Sequence, residues 1–226
     1  MRLLSDYNPA SQQPYEQFNR LNLFTLDDQK QITLDQRADS YAITRDGQLK
    51  GFSTFNREKG MTDIMMAVEA RGRSDSFVSI RREQTATQNQ LIVEGLGRTD
   101  EELLISDRTT GRFEYIDRVG QVTLTEGSGR PLFDAYSHHH IGFISDETES
   151  DPVYLSEKWK KIWAGLKSMA PAETRLRVES HAIDARQLIA STAYKSGLTL
   201  YYFVDLSSGR TELLTRNMVD SDYTGQ

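Results

Sequence analysis

Ser40-Tyr41-Ala42-Ile43-Thr44-Arg45-Asp46-Gly47-Gln48-Leu49-Lys50-Gly51-Phe52-Ser53-Thr54-Phe55 is the stretch that decides the fold. Two short apolar runs flank Asp46-Gly47, and this dipeptide supplies the positive φ angles that a type I′ hairpin turn requires. The reading is two antiparallel strands and their turn. The same grammar continues outward, with arms at Thr62 to Val68 and Ser76 to Arg81, and at Glu102 to Ser106 and Arg112 to Ile116. A further pair, Gln121 to Thr125 and Pro131 to Tyr136, is read as a hairpin closed by the glycine-rich Glu126-Gly127-Ser128-Gly129-Arg130. Short apolar segments separated by turn chemistry predict antiparallel sheet.

Composition agrees. Hydrophobic residues make up 37% of the 226 and charged residues 27%, which suits many strands with one polar face. The 19 Tyr and Phe and two Trp are spread along the chain, and disordered segments are poor in such residues. A net charge of −6 argues against a nucleic-acid partner, which needs a basic footprint. The absence of cysteine removes disulfides, thiolate zinc sites and a cysteine nucleophile. Met1-Arg2-Leu3-Leu4 runs at once into Ser5-Asp6, too short for a signal peptide, and no window spans a bilayer. The expectation is a soluble chain with no membrane partner, in the cytoplasm or the periplasm.

One unit recurs. Leu103-Leu104-Ile105-Ser106-Asp107-Arg108-Thr109-Thr110-Gly111-Arg112 parallels Tyr202-Phe203-Val204-Asp205-Leu206-Ser207-Ser208-Gly209-Arg210, and Leu21 to Leu34 is a weaker copy. Each reads as strand, aspartate turn, strand, with the Asp bonding the turn's own amides and the Gly in the left-handed region. The spacings of Asp27, Asp107 and Asp205 imply a period of about 40 to 49 residues, the length of a four-stranded propeller blade. Between the strands lies one helical pattern, residues 156–169, whose Trp159, Ile162, Trp163, Leu166 and Met169 form a single apolar stripe. Ser156 is its predicted N-cap, and Pro171 ends it.

From this helix onward the order of pieces resembles the late propeller blades of prolyl-oligopeptidase-family serine peptidases. The residues that carry the resemblance are Asp151 to Trp159, Trp163 to Met169 with Pro171, the strands Arg175 to Ser180 and Gln187 to Ala193, and Gly197 to Asp205. Asp46 to Gly51 and Glu126 to Leu132 resemble the family's blade hairpins, so the likeness runs from about Ser40 to Thr215. It implies an all-β chain: a partial β-propeller of about four to five antiparallel four-stranded blades over residues 1–226, with one inserted amphipathic helix. It further implies a partner, an α/β-hydrolase catalytic domain in fusion or adjacent, for which the propeller gates or docks peptide substrates. The Gly-x-Ser-x-Gly elbow of such hydrolases is absent from these residues, so no catalytic residue is assigned and no enzymatic activity is expected of this chain. The alternative is a free-standing propeller-like module that binds a protein or peptide. An arc of blades has open edges, so self-association through the first and last strands is also expected.

Few residues suggest chemistry. His138 and His140, in the run His138-His139-His140, are weak candidates for metal ligands, because on a strand these two share a face while His139 points away. His181 and the acids from Asp146 to Asp151 are the other groups that could complete such a site, against the plainer reading of a polar strand end and a solvated loop. Gly95-Leu96-Gly97 lacks the third glycine and the crossover helix of a dinucleotide site and reads as a loop between strands. Arg71, Arg73, Arg81 and Arg82 could meet a peptide carboxylate or simply sit at the surface. No cofactor is expected, and the substrate-binding residues are not identified by the sequence.

Overall fold

A computed structural model describes residues 2–8, 13–21, 28–34, 37–70, 73–88, 90–125, 127, 129–144 and 151–218. These residues form antiparallel sheets and one helix, and they divide into two compact units, 1–140 and 141–226.

In the first unit the strands β1 (Arg2–Asn8), β2 (Gln13–Leu21) and β3 (Asp28–Leu34) make a three-stranded sheet. Next come β4 (Ser40–Ile43), β5 (Leu49–Asn56), β6 (Met61–Ala70) and β7 (Arg73–Gln84), then β8 (Leu91–Leu96), β9 (Glu102–Asp107), β10 (Arg112–Asp117) and β11 (Val122–Leu124). Each four-stranded set pairs in chain order, an up-and-down meander, which is the topology of a propeller blade. Next in the chain come β12 (Arg130–Phe133), β13 (His140–Ile144) and β14 (Val153–Tyr154), of which β13 and β14 pair antiparallel. In the second unit, α1 (Glu157–Met169) precedes a third four-stranded meander of β15 (Arg175–His181), β16 (Gln187–Ala193), β17 (Leu198–Asp205) and β18 (Arg210–Met218). Sheets therefore have three or four strands among the described residues, and from Ser40 onward a new one opens roughly every 45 residues.

The strand alternation explains how the first unit is packed. In the β4–β7 sheet, Ala42, Ile64 and Met66 point to one face and join Leu91, Val93, Leu103, Ile105 and Ile116 of the next sheet. Phe52 and its neighbour Met65 point to the other face and meet Phe77, Leu49 and Leu34 at the end of β3. Phe52 and Phe77 make an edge contact with centroids 5.0 Å apart. This sheet is thus buried on both faces, as a blade between two blades must be. The opposite face of β8–β11 is covered too, because Tyr115 reaches His140 and the ring of Phe133 lies over Gly95. The first strands of neighbouring sheets run side by side, tied by Ser40 Oγ accepting from Val93 N at 2.9 Å.

Two hairpin readings are corrected. Gly47 alone has a positive φ (85°), Asp46 does not, and Gly47 N donates to Thr44 O, so the β4–β5 turn is not type I′. A register shift between Ala42 and Ile43 absorbs the extra residue, as a bulge beside such a turn does. Second, β11 pairs with β10 whereas β12 belongs to the following sheet, so the glycine-rich segment joins two sheets and closes no hairpin. The aspartate turns have the predicted chemistry: Asp107 Oδ1 accepts from Thr109 N and Asp205 Oδ1 from Ser207 N, both at 2.8 Å, with Gly111 and Gly209 at φ 67° and 68°. They occupy different places, however, since one joins the second and third strands of its sheet and the other the third and fourth. The turn of the weaker copy near Asp27 lies outside the described residues.

Candidate functional site

Polar side chains of the first unit gather around the turn between β12 and β13. Asp134 is buried and shapes it: its Oδ1 accepts from Tyr136 N at 2.9 Å and Ser137 N at 3.0 Å, and its carbonyl from His138 N at 2.9 Å. The turn leaves His138 in the left-handed region at φ 60°. Consequently the three histidines do not alternate as they would on a strand. His138 Nδ1 lies 3.2 Å from the carbonyl of Ile43, His139 Nε2 lies 2.9 Å from Asp100 Oδ1, and the buried His140 has Nδ1 2.8 Å from the Tyr115 hydroxyl. Edge contact with Phe133, at 5.7 Å, also holds the His140 ring.

His138 and His140, the weak metal candidates, have different surroundings: His138 lies against the Ile43 carbonyl at a strand end, and His140 is enclosed by Tyr115 and Phe133. No group of three His, Cys, Asp or Glu among the described residues is placed to hold a metal. His181 belongs to the second unit, where its ring stands edge-on to Trp159 at 4.9 Å. Residues 145–150 of the acidic stretch lie outside the described residues, and Asp151 pairs with Lys167 at 2.7 Å.

The other candidates resolve into structural roles. Gly95 and Gly97 permit close approach, since a Cβ on Gly95 would sit 2.7 Å from the Phe133 ring and one on Gly97 2.6 Å from Glu102 Cβ. Arg81 bridges Glu83 and Glu114, the latter on the adjacent sheet, and Arg82 pairs with Asp63 at 2.6 Å. Arg71 and the side chain of Arg73 lie outside what the structure describes.

What remains is a polar rim at one end of the strands. Arg98 stacks on the Tyr115 ring at 4.6 Å, and its hydrogen bonds to Glu102 hold that carboxyl below its ordinary range. Arg45 stands 5.8 Å over the Tyr136 ring, near the turn that presents His138 and His139. Sequence reasoning missed Asp134, Asp100 and Tyr115. Asp134 carried a readable signal, an aspartate two and three residues before amides in need of a cap, whereas the pairing of His139 with Asp100 is purely tertiary. The rim gathers cation, aromatic and carboxylate groups around one turn.

In the second unit, α1 lays the buried Leu166 against Leu176, Leu188 and Val204 of the sheet, with Ile162 and Trp163 beside it, while Trp159, also buried, packs on Tyr154 and His181. Tyr154 stacks on Trp159 with centroids 5.6 Å apart and planes inclined 15°, and burial pushes its hydroxyl up to about 12. Met169, predicted on the buried stripe, is half exposed at the end of the helix. Ser156 occupies the N-cap position but makes no side-chain cap bond. No helix among the described residues is long and apolar enough to cross a membrane.

No family model matches the sequence. A curated relative, a C-mannosyltransferase dpy-19 homolog of Drosophila melanogaster, is 31% identical over 71 residues, and the match spans 30% of this chain and 8% of that protein. Among solved structures the chain is similar to TolB from Acinetobacter baumannii, with a TM-score of 0.42 and 14% identity over 96% of this chain and 53% of the other. It is also similar to the periplasmic gluconolactonase PpgL of Pseudomonas aeruginosa, with a TM-score of 0.39 and 13% identity over 96% and 69%. A puromycin hydrolase mutant gives a TM-score of 0.39 and 10% identity over 96% and 39%. With every one of these scores below 0.5, the fold rests on the sheet pairing and packing described above.

Proposed function

We propose that this chain is a propeller-type module that docks and filters peptides for a separate α/β-hydrolase domain of the prolyl-oligopeptidase type. The observation that carries the reading is the β4–β7 sheet, a four-stranded meander buried on both faces between neighbouring sheets, as a blade in a propeller is. The ordered resemblance from Ser40 to Thr215 supports the family, and the rim of Arg45, Tyr136, His138, His139 and Asp100 supports peptide docking. Chemistry belongs to the partner domain, because the nucleophile elbow is missing from these residues.

The test is fluorescence anisotropy of labelled oligopeptides titrated with the intact chain, compared with Arg45→Ala and His139→Ala. Saturable binding weakened several-fold in both variants is expected, with unchanged far-ultraviolet circular dichroism. Binding that ignores both substitutions, or no binding across a broad peptide set, would overturn docking at this rim. Stoichiometric labelling of one serine by a fluorophosphonate would overturn the non-catalytic assignment.

A further inference from the structure

Between the C-terminal end of α1 and one end of the β15–β16 pair, the second unit has an open depression of about 480 Å³. Three cations line it, Lys167 of the helix, Arg175 at the start of β15 and Lys195 in the turn after β16, together with the carboxylates of Asp151 and Glu173. Each lysine already faces an acid: Lys167 Nζ lies 2.7 Å from Asp151 Oδ2, and Lys195 Nζ 3.8 Å from Glu173 Oε2. Arg175 differs, because its guanidinium has no ion-pair or hydrogen-bond partner among the described residues although the residue is half-buried. The lining therefore holds one uncompensated positive charge, in a chain whose net charge is −6.

A guanidinium drawn partly out of water loses hydration that a charged acceptor restores, and its planar fork matches the two oxygens of a carboxylate. Room for such a group is present, since the residue paired with Arg175 across the strands is the small Ala193, which also lines the depression. Beside it stands Tyr194, whose hydroxyl has no partner among the described residues and can donate to the same anion. Charge selects among anions. A carboxylate monoanion balances the excess of one, whereas a phosphate dianion would bring a further negative charge up to Asp151 and Glu173.

We infer that this depression is a binding site for a carboxylate, that of a small organic acid or of a peptide end, held by the Arg175 guanidinium with the Tyr194 hydroxyl as second donor. The site lies in the second unit and does not rest on peptide docking at the first. Its test is a backbone-amide NMR titration of the intact chain, at constant ionic strength, with acetate, N-acetylalanine, N-acetylalanine amide and inorganic phosphate. The two acids should give saturable shifts at Arg175, Ala193 and Tyr194, and the amide none. Equal affinities of the acids would mark a free carboxylate as sufficient and a tighter N-acetylalanine would mark a peptide end, both in support of the site. Arg175→Gln should weaken both acids about tenfold or more, the worth of a hydrogen bond to a charged group, and Ala193→Leu should block them by filling the space. An amide that binds as tightly as its acid, or phosphate that binds more tightly than acetate, would overturn the proposal on the parent chain alone, even if Arg175→Gln failed to fold. So would unchanged acid affinity in either variant, or the absence of saturable shifts at these residues.

Discussion

Gly51 of β5 lies so close to Leu103 of β9 that a Cβ on the glycine would stand 2.4 Å from Leu103 Cδ1 and 2.8 Å from the backbone carbonyl of Met65. The two sheets can stack at this distance only because residue 51 has no side chain. Gly51→Ala is expected to destabilise the first unit by about 1 to 3 kcal/mol, the usual cost of overpacking a full core. Leu103→Ala should relieve only part of it, since the Met65 carbonyl is backbone and cannot rotate away. Urea unfolding of the single and double variants checks both statements, and an alanine at 51 as stable as glycine would show that the sheets are not in contact there.

Trp159 and Trp163 share one helix face but not one fate. Trp159 is 3% exposed and stacked on Tyr154, while Trp163 is half-buried at the margin of the cluster around Leu166. Trp159→Ala should cost about 3 to 5 kcal/mol, as large aromatic truncations in cores do. Trp163→Ala should cost clearly less. Equal midpoints for the two variants in chemical denaturation would contradict the packing of α1 on β14 and the sheet.

Tyr154 makes the second unit sensitive to alkali. Its hydroxyl is raised from 10.0 to about 12 by burial, so the unfolded chain loses this proton at lower pH than the folded one. The stability it contributes is fully present below about pH 10 and is lost as pH rises toward 12. Melting temperatures of the parent should therefore fall more steeply over that window than those of Tyr154→Phe, which has no proton to lose. Parallel pH profiles for the two proteins would mean that Tyr154 ionises freely in the fold.

Turn chemistry was legible because it is local. Asp107 and Asp205 cap amides two residues on, and Gly111 and Gly209 take the left-handed region, all within five residues of sequence. Sheet membership was not legible. The segment between β11 and β12 has the same glycine-rich look as a hairpin turn, and only long-range pairing decides that the strands part company there. The same limit applies to Met169, because a helical stripe tells which side of α1 is apolar but not where the partner sheet stops. His138 to His140 were read with strand alternation; the turn that breaks it is shaped by the Asp134 cap, a local signal, while the approach of His138 to Ile43 is tertiary.

The edge strand β18 leads to the last expectation. Among the described residues it pairs only with β17, and it places Leu213 and Leu214 in solvent at 54% and 49% exposure. A register shift opposite Tyr201 and Tyr202 leaves Leu214 without a paired residue, a bulge that interrupts the ladder there. From Arg210 to Leu213 the edge stays regular, and its free amides and carbonyls can pair with another strand while the two leucines supply apolar contact. Weak self-association is therefore expected, seen in sedimentation as a mass that rises above 25.8 kDa with concentration. Leu214→Lys should return the chain to a monomer, because a charge on an edge strand opposes pairing. A parent chain that stays monomeric over a wide concentration range, or a lysine variant that associates as the parent does, would show that this edge is not the contact.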